Sequence, residues 1–379
     1  MSKKALTILI IVGIIAIGAG VYLAWQRYSK PLATLPQNLN QQNYNNQVNL
    51  PASNVTSKLN ILSKSDAVVY WVGNSSTSTT QDVFYISSNG NLNQISDGKE
   101  EVISNENPGT IEFAKTLAVD KKVLVVFKKT SLIPEIFDIT KKLWIRFING
   151  NEVVASIDVS PDGKKVAYIA ENNKGGEDLF TYDLSNNKAK AVKIMTLNIK
   201  DFSLNWVDDN SLIFTPKPAF NYSAEAWKLD LQTKTLSKIT EGRGLMFNWA
   251  KLGGVGLEFS SSQDRNYRLT LIDDSGAARG DFKFITLPDK CFISSPQQIY
   301  CAISRDQSIF STNEIFPDDY LKRAAYFKDG IYQVDIGQNK FQALFEAESP
   351  LIDATNLTLD GNRILFINRY DNKLYSLEI

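Results

Sequence analysis

The chain has no histidine among its 379 residues. That absence removes Ser-His-Asp and Cys-His nucleophile pairs, imidazole zinc sites and histidine-ligated haem in one step. Proton transfer would fall to carboxylates, lysine or tyrosine. Cysteine is scarce as well. Only Cys291 and Cys301 occur, which leaves no C-x-x-C redox pair and too few thiolates for a metal cage. Net charge is also lacking. Lys+Arg and Asp+Glu each number 41, so no overall bias steers the chain toward nucleic acid or anionic lipid. Walker loops, EF-hand loops and G-x-S-x-G elbows are missing too. Neither a cofactor nor a nucleic-acid partner is expected.

What is present begins with an uncharged apolar run over 5–25, twenty-one residues long. As a helix it measures about 31 Å, close to the hydrocarbon thickness of a bilayer. Lys3 and Lys4 precede it, and Tyr22, Trp25 and Tyr28 stand where an interfacial aromatic belt would lie. A cleaved signal peptide would carry an apolar core of only about 7–15 residues and end in small side chains, whereas this run ends in bulky ones. The expectation is a single-pass signal anchor: residues 1–4 cytoplasmic, 5–25 in the cytoplasmic membrane, and the bulk outside, periplasmic or at the cell surface. Residues 26–57, rich in Asn, Gln and Pro with almost no charge, read as a tether.

From residue 58 onward the chain repeats itself. The clearest unit is 157–194, which reads as four short strands. Pro161 presets φ for a turn and Gly163 supplies a positive φ. The stretch 165–170 (KVAYIA) is too apolar for a sheet wetted on one face. Such a second strand recurs at 68–72 (VVYWV), 123–127 (VLVVF), 211–215 (SLIFT), 255–259 (VGLEF), 299–303 (IYCAI) and 364–368 (ILFIN). Seven units of about 46 residues match the period of propeller blades. The expected fold is therefore all-β: a seven-bladed β-propeller of four-stranded antiparallel blades over 58–379, preceded by one N-terminal transmembrane helix. The last unit stops at Ile379 after its third strand. A segment near 47–50 is expected to supply the fourth and close the ring.

In the sixth unit Ser295-Pro296 falls on Ser160-Pro161, which sets Cys291 and Cys301 on the two arms of a hairpin. Directly opposed strand positions have Cβ atoms about 4.5–5.5 Å apart, near the span of a disulfide. A structural Cys291–Cys301 bond is the expectation for a domain outside the cytoplasm.

The run 160–169, SPDGKKVAYI, resembles the SPDGKxIAY repeat of TolB-type, WD-like propellers, a repeat also found in the propellers of prolyl-oligopeptidase-like peptidases. Weaker versions stand at 359–362 and at Ser295-Pro296. The resemblance implies a propeller fold and a protein–protein role in the bacterial envelope. It implies no activity, because those peptidases keep theirs in a hydrolase domain for which no residues remain here. TolB-type chains carry an additional N-terminal domain where this one has the anchor and tether.

In a propeller, the loops from second to third strands and from each fourth strand to the next first share one rim. The long segments 73–81, 97–109, 217–225 and 304–328 all fall there. The last holds Phe310, Phe316, Tyr320, Tyr326 and Phe327 together with Asp318, Asp319, Lys322 and Arg323. Two readings stand for it: a partner-binding loop, since aromatic and arginine side chains favour hot spots, or an insertion that packs its rings onto its own blade. The pairs Asp208-Asp209, Asp273-Asp274 and Asp318-Asp319 read as turn chemistry. Adjacent side chains point apart, and glycoside hydrolysis needs carboxyls facing each other across a substrate. The sum is a binding or scaffolding module of the cell envelope rather than an enzyme, partnered by another envelope or surface protein. Its rivals are a propeller hydrolase or lyase using carboxylates and tyrosines in the central channel, and a self-assembling surface protein.

Overall fold

Almost every described segment is a strand joined to the next by a short antiparallel turn. The computed structural model describes residues 59–73, 81–106, 109–117, 122–148, 152–185, 190–198, 200, 202–250, 254–338 and 340–379. The expected anchor, tether and 47–50 strand lie outside these residues. Among the described residues no helix is long and apolar enough to cross a membrane.

After β1 (Leu59–Ile61) the first meander comprises β2 (Ala67–Val72), β3 (Val83–Ser87), β4 (Leu92–Ser96) and β5 (Lys99–Ser104). Next come β6 (Thr110–Thr116), β7 (Lys122–Lys128), β8 (Leu132–Asp138) and β9 (Leu143–Arg146). They are followed by β10 (Val154–Val159), β11 (Lys165–Glu171), β12 (Glu177–Asp183) and β13 (Val192–Leu197). One residue pair, Val154 with Leu132, joins these two groups. β14 (Phe202–Asp208), β15 (Ser211–Pro216) and β16 (Ser223–Asp230) lead into the long β17 (Leu236–Trp249). The first half of β17 pairs with β16 and the second half with β18 (Val255–Ser261), followed by β19 (Tyr267–Asp273) and β20 (Ala278–Asp281). β21 (Cys291–Ser295), β22 (Gln298–Ser304), β23 (Asp329–Asp335) and β24 (Lys340–Phe345) form a further sheet. β25 (Ala354–Asp360), β26 (Arg363–Asn368) and β27 (Lys373–Glu378) form the last one, with β1 as its fourth strand.

The second strands are apolar throughout because both faces are covered. Along β7, alternate side chains point to opposite faces. Val123, Val125 and Phe127 pack with Trp71, Phe84 and Ile86 of the preceding meander. Leu124 and Val126 pack with Val166, Tyr168 and Ala170 of the following one. A slip of one residue would exchange the two sets, so the register is strongly specified. The 160–163 turn folds as its composition requires. Ser160 Oγ accepts from Lys165 N at 2.9 Å and donates to Asp162 Oδ1 at 2.6 Å, while Gly163 takes φ 67°.

Side chains also fasten successive first strands to one another. Lys115 of β6 pairs with Asp158 of β10, whose other oxygen accepts from Trp206 N of β14 at 2.8 Å. Asn248 of β17 donates to the carbonyls of Pro288 at 3.0 Å and Cys291 at 2.7 Å. The Tyr70 hydroxyl of β2 reaches Asn356 O of β25, and also lies 2.8 Å from Leu365 O of the adjacent β26.

Three expectations are corrected. The stretch 68–72 is the first strand of its meander, not the second. It mimics a second strand because Tyr70 and Val72 pack toward Leu365, Ile367 and Leu374 while Val69 and Trp71 pack toward the following meander. The strand that completes the last sheet is β1, with Leu59 opposite Leu377 and Ile61 opposite Tyr375, in place of 47–50. Finally, 97–109 is not all loop, since it contains β5. The cysteine register is as expected: Cys291 lies directly opposite Cys301, and the two are bonded with Cα atoms 4.1 Å apart.

Candidate functional site

The 305–328 insertion leaves β22 and returns to β23. Asp306 caps a 3-10 turn over Gln307–Ser311 by accepting from Ser308 N at 3.0 Å, the reason short acidic side chains favour such positions. A single helical turn, α1 (Asp318–Leu321), follows. The chain is tied at both ends of this path. Arg265 donates to Thr312 O at 3.3 Å and Asn313 O at 3.4 Å. The Tyr267 hydroxyl accepts from Phe316 N at 3.1 Å. Asp318 Oδ2 accepts from Phe220 N at 2.8 Å, and Arg323 donates to Asn372 Oδ1 at 2.7 Å. The insertion thus bridges turns of the β15–β16, β18–β19 and β26–β27 connections.

Of the nine residues singled out in it, Phe310, Phe316, Tyr320 and Phe327 are buried and face one another. Phe310 and Phe316 ring centroids lie 4.9 Å apart, and Phe316 and Phe327 5.4 Å. For these four the packing reading describes what is found. Asp318 and Asp319 are half-buried, and each accepts a backbone N–H, Asp319 from Ile315 at 2.7 Å. Lys322 and Arg323 are exposed. Tyr326 is half-buried and stacks on Tyr370, centroids 5.3 Å apart. The other acidic pairs serve turns and ion pairs. Asp208 and Asp273 accept the N–H two residues on, and Asp274 pairs with Lys228 at 2.6 Å.

Beneath the insertion lies a charged cluster that sequence reasoning missed. Lys290, with a side chain 0% exposed, donates to Asp329 Oδ2 at 2.7 Å and to Asp353 Oδ1 at 2.5 Å, both carboxylates being equally buried. It also reaches Ala354 O at 3.0 Å and stands 4.8 Å from the Phe327 ring centroid. Arg369 pairs with Asp353 Oδ2 at 2.7 Å, donates to Tyr320 O at 2.7 Å and lies 3.9 Å over the Tyr320 ring. The Tyr320 hydroxyl donates to Asp289 Oδ2 at 2.8 Å. Burial opposes the charged form of Lys290, but the two aspartates outweigh it and hold its pKa above the ordinary value. Burial pushes the Asp289 carboxyl up, against the hydrogen bond from Tyr320 and the nearby Lys290 and Arg369 charges. It pushes Asp329 up to about 6, Lys290 opposing and the like charge of Asp353 adding to the rise. Among the described residues no group of three or more His, Cys, Asp or Glu could hold a metal ion.

The Asp329 shift has a consequence for stability. A folded-state pKa above the ordinary 3.8 means that the native state binds the proton more tightly. This group's contribution to stability is therefore full at low pH and falls as pH rises from about 4 to about 6. Two pKa units correspond to about 3 kcal/mol. In urea denaturation, the stability difference between the native chain and Asp329→Asn is expected to fall by that amount between about pH 4 and pH 7. A difference that stays flat with pH refutes the shift.

No family model matches the chain, and no curated protein matches it in sequence. Solved structures do match. An oligogalacturonate lyase in complex with manganese is similar with a TM-score of 0.56 at 10% identity, covering 85% of this chain and 98% of that one. The tricorn protease is similar at 0.52 and 11% identity, covering 87% of this chain and 34% of that one. The Myceliophteria thermophila Cps50 (Swd1) β-propeller domain is similar at 0.52 and 10% identity, covering 85% and 99%. Likeness at such identities carries the fold alone. The meanders form a β-propeller.

Proposed function

We propose that this chain is a membrane-anchored propeller of seven four-stranded blades, held outside the cytoplasmic membrane by residues 5–25 and the 26–57 tether. It docks another envelope or surface protein on the rim bearing 305–328. The blades are β2–β5, β6–β9, β10–β13, β14 through the first half of β17, the second half of β17 through β20, β21–β24, and β25–β27 with β1. The likeness of 160–169 to TolB-type propellers supports a protein-binding role. The observation that carries the reading is the exposed turn 321–324 beside the Tyr326–Tyr370 stack, fixed from beneath by Arg369. Long loops held on rigid scaffolds commonly carry function.

The test is cross-linking capture from native membranes, comparing the intact chain with Leu321→Asp. Leu321 is exposed, so the variant should melt as the native chain does. A protein captured by the native chain and lost with the variant supports the docking face. The same protein captured by both places the face elsewhere. Capture by neither favours the enzyme or self-assembly reading.

A further inference from the structure

We infer that the rim patch formed by Leu321, Lys322, Arg323, Tyr326 and Tyr370 binds an acidic protein segment that carries an aromatic side chain; this rests on the docking role proposed above. The patch is contiguous. Arg323 bonds to Asn372 of the β26–β27 turn, and Tyr326 stacks on Tyr370 of the same turn.

The five patch residues themselves carry two positive charges and no negative one, in a chain whose total is balanced. The acids of the insertion are all satisfied locally. Asp318 and Asp319 accept backbone N–H groups, Asp306 caps the 3-10 turn, and Glu314 accepts from the Thr312 hydroxyl. Of the cations, Arg305 is paired with Glu348 at 2.7 Å. Lys322 and Arg323 have no carboxylate partner among the described residues, and Arg323 bonds only to a neutral amide. The adjacent Asp371 is occupied, accepting from Lys373 N at 3.0 Å and from the Tyr375 hydroxyl at 2.6 Å. An acidic ligand would therefore meet two cations that no carboxylate already pairs, with the charge of Asp371 beside them.

The apolar half of the patch is equally open. Leu321 is 48% exposed and Tyr370 40%. They lie on two segments that Arg369 ties together: it donates to Tyr320 O at 2.7 Å and Ala325 O at 3.4 Å, and lies 5.0 Å from the Tyr326 ring centroid. Arg323 sits at φ 58°, a conformation costly for a non-glycine residue. Replacing a whole buried ion pair by apolar groups is often neutral for stability; in this chain the Arg369 pair also fixes the position of the 320–325 backbone. The result is a preorganised rim, which lowers the entropic cost of binding. Aromatic and arginine side chains on such a support are what hot spots use. An anionic membrane fits less well, since lipid recognition takes clusters of about 4–8 cations.

The experiment uses the full chain in detergent and fluorescently labelled copolymers as probes: poly(Glu,Tyr), poly(Glu) and poly(Lys,Tyr). Anisotropy titrations should show poly(Glu,Tyr) binding about tenfold or more tighter than poly(Glu), and no binding of poly(Lys,Tyr). Arg323→Glu and Tyr370→Ala should each weaken poly(Glu,Tyr) about tenfold or more, with unchanged melting temperatures. Equal binding of poly(Glu,Tyr) and poly(Lys,Tyr), indifference to the two variants, or, in a parallel titration, binding of phosphatidylserine vesicles but of no copolymer overturns the inference. If poly(Glu,Tyr) fails to bind while Leu321→Asp still abolishes membrane capture, the docking rim stands and the acidic-aromatic specification falls. If both fail, the docking role falls with it.

Discussion

Replacing Lys290 with methionine is expected to cost about 3–5 kcal/mol of stability at neutral pH, the range found when one partner of a buried ion pair is removed. The size follows from what is left behind. Asp329 loses its cation altogether, and Asp353 keeps only Arg369. Water cannot reach either carboxylate, since both side chains are 0% exposed. The loss should shrink toward pH 5, because Asp329, already pushed up to about 6, will take up a proton once Lys290 is gone. Adding Asp329→Asn to the methionine variant should recover part of the stability, as an apolar or neutral replacement of a whole buried pair is tolerated far better than half of one. Urea midpoints of the three chains at two pH values would measure this. A methionine variant as stable as the native chain would show that the cluster is not the clasp of the insertion.

Removing residues 59–63 is expected to cost about as much, roughly 5 kcal/mol, through lost ladder bonds and lost apolar burial. β1 contributes three residue pairs to β27, and beyond it Leu62 N donates to Leu374 O at 2.8 Å and Ser63 Oγ accepts from Leu374 N at 2.9 Å. Leu59 and Leu62 each pack against a buried cluster. The deletion also opens β27 as an unpaired edge, so concentration-dependent association should accompany the lower midpoint. Ile61→Thr is the control. The side chain of Ile61 is 60% exposed, so this change should be nearly silent if backbone pairing is what matters. A deletion variant with an unshifted denaturation midpoint would show that the last sheet does not need its fourth strand.

The blade rhythm was legible because a strand covered on both faces must be apolar throughout, and 123–127, 166–170 and 364–368 each announce this in five residues. The same rule misplaced 68–72, an apolar first strand wedged between two meanders. β1 escaped notice because three residues, LNI, are too few to carry a pattern, and two of them are exposed. The disulfide was legible because its register is local to one hairpin. The charged cluster was not, because Lys290 meets Asp353 across 63 residues of sequence and reads, next to Asp289, as ordinary turn chemistry. Nor could a count of rings in the insertion tell which of them face inward. That was decided by partners elsewhere in the chain, Tyr267 and Arg369 above all.

The fourteen-residue β17 makes the propeller something other than a row of equal repeats. Two meanders that share a strand cannot open independently, because pulling its first half from β16 drags on the half that holds β18. From Phe202 to Asp281 the cooperative unit therefore takes in two sequence repeats. Elsewhere, between β8 and β10, the backbone ladder is a single residue pair, and the Lys115–Asp158 pair and the packing of β7 on β11 carry the rest of the join.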